Sequence, residues 1–422
     1  MLTKGGGRSL LMILLLLTAL IIVANAERLP TIGGDDGDWG TVLNAFLSLE
    51  HKDDGSHGNI TADSVNVSGN VNITGGLVVG KNVTISGPNP WIDVKAYGAK
   101  GDGVTDDADA IQSAIDDGIT HRAKVYIPRG TYVISKQINV SLGSFASSKA
   151  LTITGDWPII LANASMKTVI YIDTAAYFRM ERIIVDANGN ATYGIIAHKL
   201  TSRNGILEDL RIINAKSDGL FANQSQLSIF RNIVSENNNG SGFHIIDGNG
   251  LVLEKTSSNT NNGSGYLIEG DVNSGKMWLR DVDAELNQGN GIELTRMVQG
   301  GPIIDGGWLE GNVLDGVFVN SSNTVVTNLN IIGNPLNANK AVRITTYANG
   351  TRVIGNTFTD DNFSVSSIYR TIRDRSGINS SYIAGNTYLL AGNVRQLTLT
   401  AFNNQTCPVS TVCIEQYDNE TG

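Results

Sequence analysis

Five charged residues in this 422-residue sequence share one register. Glu208, Arg231, Glu254, Arg280 and Asp305 each stand eleven positions before a recurring glycine. If the repeats stack, the column reads as a salt-bridge ladder, whose exposed pairs are worth only ~0–1 kcal/mol each. The same column reads as a sugar-binding stripe, in which Arg231 and Arg280, with Glu254 between them, hold carboxylates through paired N–H donors. Asp281, Asp283, Glu285 and Glu310 follow close by. Asp283 and Glu285 suit acid–base work on a glycosidic bond, which needs one carboxyl as acid and one as base. Their oxygens are also the ligand type that Ca²⁺ selects; apart from that ion the sequence calls for no metal and no cofactor. Removing a proton from a sugar carbon would need a further base, and Lys255 and Arg280 are at hand. Trp278 and Trp308 lie in the same region and can stack on sugar rings or pack at a coil edge. Asp218, directly before Gly219, reads as an acid or as a turn-capping residue. His198 and His244 stand alone on strands and read as ordinary ladder residues.

What must position these groups is a repeat. A glycine followed by an apolar-x-apolar strand recurs at Gly194, Gly219, Gly242, Gly265, Gly291 and Gly316, then with alanine at Ala341. The steps are 23 to 26 residues. A second strand precedes each glycine, with Leu207, Phe230, Leu253, Leu279 and Ile304 in one register. Strands and turns at that period, with no helix between them, mean an all-β solenoid. Its coils stack about 4.8 Å apart, so equivalent side chains form columns. Asn-rich turns at 236–240 and 259–263 suit left-handed backbone and can hydrogen-bond along the stack. Thr105-Asp106-Asp107, then Ala110, Ile111, Ala114 and Ile115, predict a short helix that ends at Gly118 and covers the open first coil.

Composition narrows the function. Apolar residues make up 41% and charged residues 17%, with a net charge of −9. That is too apolar for a disordered chain and too acidic for a nucleic-acid backbone binder. Lys4 and Arg8, an apolar run from Leu10 to Val23, and Ala24-Asn25-Ala26 form a secretory signal ending at residue 26. A membrane is a partner only if that segment is retained. Sequons recur along the chain, Asn59, Asn139, Asn239 and Asn262 among them, which fits a secreted or surface glycoprotein. Cys407 and Cys413 are spaced to close a small disulfide loop in an oxidising compartment. Residues 59–90 alternate Val/Ile with polar residues and glycines, as in Val65, Val67, Val71 and Ile73. Such short strands cannot bury a face alone, which predicts a β-stalk built by a homo-oligomer, with a trimer as the expected form.

Two stretches carry a resemblance. Trp39 to Glu50, followed by Asp54-Gly55-Ser56-His57, resembles a segment of phage tail fibres within the polar stretch 27–58. Asp93-Val-Lys-Ala-Tyr-Gly-Ala-Lys-Gly-Asp-Gly, continuing to Ile115, and then Val125-Tyr-Ile-Pro-Arg-Gly-Thr-Tyr-Val133 resemble the start of the pectate-lyase superfamily. That superfamily includes rhamnogalacturonases, polygalacturonases, epimerases and tailspikes. The resemblance implies a right-handed parallel β-helix over 91–400, a C-terminal tail over 401–422, and polysaccharide as ligand. It does not imply the reaction, because fold does not set function. Polygalacturonases carry Asn-Thr-Asp, Asp-Asp, Gly-His-Gly and Arg-Ile-Lys on successive coils. Here Lys216-Ser217-Asp218 matches the first, while Gly240-Ser241, Gly263-Ser264-Gly265 and Arg343-Ile344-Thr345 depart from the others. The sequence therefore leaves two readings, a polysaccharide lyase or hydrolase with a rearranged site, and a non-catalytic adhesin or tailspike-like fibre.

Overall fold

The computed structural model describes residues 91–416, apart from 144–149, 174–176, 201–204, 271–273, 296–299, 334–340, 346–347, 361–371, 375–380, 391–392, 396–399 and 404–412. The expected signal, tail-fibre-like stretch and stalk fall on residues outside those described. Cys407 is also outside the described residues; Cys413 opens the strand Cys413–Gln416.

Two sheets of 19 and 12 strands run along the solenoid, with nearly every pairing parallel. From residue 206 to residue 332 each coil carries one long strand region and one short strand. In the long region a left-handed residue breaks the strand: Asp209, Asn232, Lys255, Asp281, Gly306 and Asn328 have φ of 48–79° on successive coils. The segments before and after this break form the first and second walls. The short strands Leu220–Asn223, Phe243–Ile246, Tyr266–Glu269, Ile292–Thr295 and Val317–Asn320 form the third. Leu207, Phe230, Leu253, Leu279 and Ile304 pair in that order and are fully buried, as the repeat predicted.

At Gly219 and Gly242 no side chain fits. A Cβ on Gly219 or Gly242 would lie 2.0 Å from the hydroxyl of Ser235 or Ser258. The asparagine turns divide two jobs that the sequence suggested for one residue. The left-handed position is filled by Asn237, Thr260 and Leu286. The residue after each, Asn238, Asn261 and Asn287, is buried and hydrogen-bonds from coil to coil.

The capping helix spans Ala108–His121, three residues beyond the expected stop at Gly118. Gly118 sits inside the helix, where a Cβ would come within 2.6 Å of Val125 Cγ2, so it permits close packing rather than termination. The helix ends at Arg122, in the left-handed conformation. Asp107 occupies the N-cap position, but its carboxylate accepts instead from the N–H groups of Lys100 and Gly101, at 2.6 and 2.9 Å. Among the described residues no helix is long and apolar enough to cross a membrane.

Candidate active site

The coils distribute the sequence candidates over three walls. Arg231, Glu254, Arg280 and Trp278 face outward on the first wall. Asp283, Glu285, Trp308 and Glu310 face outward on the second. Asp218 lies in the turn that leads into the third wall. One continuous side wall carrying all of them does not form, because the left-handed break separates the first two sets.

On the first wall the ladder is partly ionic. Glu208 is almost fully buried and pairs with Arg231 and Arg179. Arg179 also reaches Glu181 at 2.6 Å, and Arg182 joins Thr154 at 2.6 Å. Arg231 thus serves a buried carboxylate, whose unpairing would be costly. Glu254 and Arg280 stand in register on the next two coils.

The second wall concentrates acid. Burial raises the pKa of Asp283, opposed by a hydrogen bond from the backbone N–H of Trp308 and reinforced by the charge of Asp281. Glu285 is raised by burial, then by Asp283 and Glu310. Glu310 accepts from Trp308 Nε1 at 2.8 Å.

The third wall assembles what single positions could not announce. His244, read in the sequence as an ordinary ladder residue, is held at both ring nitrogens. Its Nδ1 lies 2.9 Å from Asp218 Oδ2 and its Nε2 2.9 Å from Glu269 Oε2. The three residues come from three consecutive coils. Asp218 is buried and also accepts from the Ser241 N–H at 2.8 Å. Glu269 is the accessible end, its side chain 35% exposed against 16% for His244. Thr295 Oγ1 lies 3.4 Å from its other oxygen.

Phe221 packs edge-on to His244 and tilted on Tyr193, each with ring centres 5.1 Å apart. Burial and then the Asp218 charge raise the Tyr193 pKa. One coil beyond His244's acidic partner, Glu293 accepts from Ser264 at 2.6 Å and Asn290 at 3.0 Å. Beside the turn holding Asp218, an open depression of about 650 Å³ is lined by amides, including Asn214, Asn237, Asn239 and Asn262.

A neutral imidazole has one N–H and could satisfy one carboxylate; the imidazolium has two and satisfies both. Burial disfavours the charged ring, but hydrogen bonds and charges from Asp218 and Glu269 outweigh it and raise the His244 pKa. A histidine with a raised folded pKa stabilises the fold in full below its unfolded value of about 6.5. That contribution is lost as pH rises through the folded value. His244→Gln should therefore flatten the decline in unfolding free energy above about pH 6.5, measured by denaturant titration at several pH values. An unchanged slope would mean that His244 is neutral in the native protein.

The register that joins the three was present in the sequence. Asp218 precedes its repeat glycine by one residue, His244 follows Gly242 by two, and Glu269 follows Gly265 by four. The offsets differ, so no single column contained them.

The model of the family described as rhamnogalacturonase A/epimerase, pectate lyase-like, matches residues 91–192. That of the right-handed beta helix region matches residues 168–363. Alginate lyase 7 of Azotobacter vinelandii is 44% identical over 108 residues, covering 24% of this chain and 12% of that protein. The chain thus spans a small part of the curated relatives it matches. The mannuronan C-5 epimerase AlgE6 A-module of Azotobacter vinelandii superposes with a TM-score of 0.55 at 22% identity, covering 71% of this chain and 86% of that one. The endo-xylogalacturonan hydrolase of Aspergillus tubingensis gives 0.56 at 13% identity, covering 79% and 100%. At these identities the structural likeness shows the fold.

Proposed function

We infer that this chain, a right-handed β-helix protein of the pectate-lyase-like kind, binds a polysaccharide across its third wall and processes it by acid–base chemistry. The observation that carries the reading is His244, held between buried Asp218 and accessible Glu269. In that arrangement Asp218 fixes the ring, His244 holds the positive charge, and Glu269 is the group that meets substrate and moves the proton. Tyr193 and Phe221 supply the apolar surface on which a sugar ring can rest. The amide-lined depression next to Asp218 offers donors and acceptors for sugar hydroxyls. An alginate lyase and a mannuronan epimerase among the similar proteins support uronate polymers as the first substrates to try. The signal-like start and the sequons support a secreted or surface location, and the alternating stalk a homo-oligomer.

The second wall supports a second reading. Asp283 and Glu285 hold their protons to higher pH than free carboxyls, which suits one as a general acid, and Trp308 stands beside them with 38% exposure. The experiment is a panel of acidic and neutral polysaccharides assayed for reducing ends, for unsaturated products absorbing near 235 nm, and for change of uronate configuration by NMR. The third-wall reading predicts turnover that survives Asp283→Asn with Glu285→Gln. Turnover lost in that double variant assigns the chemistry to the second wall. Binding without any turnover, across the panel, makes the protein an adhesin.

A further inference from the structure

The first wall carries a feature that the chemistry proposed for the third wall does not use. Ile206, Ile229, Val252, Trp278, Ile303 and Val325 pair coil to coil into one column of half-buried, outward-facing side chains. At about 4.8 Å per coil the column runs roughly 24 Å. The equivalent outward column of the second wall is mostly polar, with Arg211, Ser257, Asp283 and Asn330 among its members. Trp278 lies under two cations, Lys276 Nζ at 5.7 Å and Arg280 at 5.9 Å from its ring centre.

The neighbouring column on the same wall reads Glu208, Arg231, Glu254, Arg280, Asp305. Its signs have a symmetry of their own. A two-fold axis along the strands, midway between the coils of Glu254 and Arg280, reverses the coil order and leaves each column facing itself. Glu254 of one copy then meets Arg280 of the other, and Arg231 meets Asp305. In the apolar column the same operation sets Val252 against Trp278, Ile229 against Ile303, and Ile206 against Val325. Every contact is matched by its reciprocal, as an isologous interface requires. A parallel arrangement of two copies has no such match.

We propose that the first wall docks a second copy of this chain in antiparallel orientation, apolar column on apolar column, with Glu254 and Arg280 exchanging ion pairs across the two-fold. The interface is independent of residues 27–90 and leaves the third wall of both copies open to a polymer. Light scattering and sedimentation velocity on the full chain at micromolar concentration test it. Glu254→Arg and Arg280→Glu, made singly, should each halve the particle mass, and the double exchange should restore it. Trp278→Ser should also halve the mass without altering the far-ultraviolet circular dichroism. Mass that is unchanged in both single charge variants, or a double variant that stays at half mass, overturns the proposal.

Discussion

Replacing Glu269 with Gln is expected to lower turnover by two to four orders of magnitude on the polymer that the substrate panel identifies, with binding changed far less. General acid–base catalysis contributes about 10²–10⁴-fold, and this side chain is the accessible member of the trio. Gln keeps the shape and can still accept a hydrogen bond from His244 Nε2, so the third wall should fold unchanged. What disappears is the group that can gain or lose a proton where substrate lies. Asp218→Asn should act differently. It leaves Glu269 in place but removes the charge that holds the ring, so the pH profile should shift as well as the rate fall. Steady-state kinetics between pH 5 and 9 separate the two. A Glu269→Gln protein retaining more than a tenth of the parental kcat would remove this residue from the chemistry.

The second large effect concerns the asparagine ladder. Asn261→Ala should cost about 3–5 kcal/mol of stability. Asn261 is fully buried, and its Oδ1 accepts from the backbone N–H of Asn238 at 3.0 Å and from the Asn238 side chain at 2.9 Å. Its Nδ2 donates to Ser258 Oγ, to the Ser235 carbonyl and to Asn287 Oδ1, at 3.0, 3.1 and 2.9 Å. Truncation strands a buried backbone donor and takes partners from two neighbouring coils. An unmet buried polar group costs about 1–3 kcal/mol, and the lost packing of the carboxamide adds to it. Substitution at Asn262, exposed on the next position, is the comparison and should cost less than about 0.5 kcal/mol. Denaturant unfolding followed by circular dichroism decides the matter; a loss below 1 kcal/mol at Asn261 would mean that water or a coil shift replaces the ladder.

The inward stack from Leu207 to Ile304, the solenoid, and the outward column from Glu208 to Asp305 were legible because a coil repeat turns equal sequence offset into equal place. A parallel stack leaves no freedom in that step, since a slip of one residue would turn every apolar side chain outward. The capping helix was legible for its face but not its end, because whether a glycine stops a helix or seats it depends on what lies opposite, here Val125. The candidate site was legible only at Asp218. Joining it to His244 and Glu269 needs the geometry of a turn and two strand positions on different coils, at different offsets, so periodicity could not register it. Composition and repeat thus determined the scaffold, through burial and register. Which wall each charged group faces, and that a lone histidine finds a carboxylate at both nitrogens, was decided by the left-handed breaks and turns that fold each coil, and these are properties of the stacked chain.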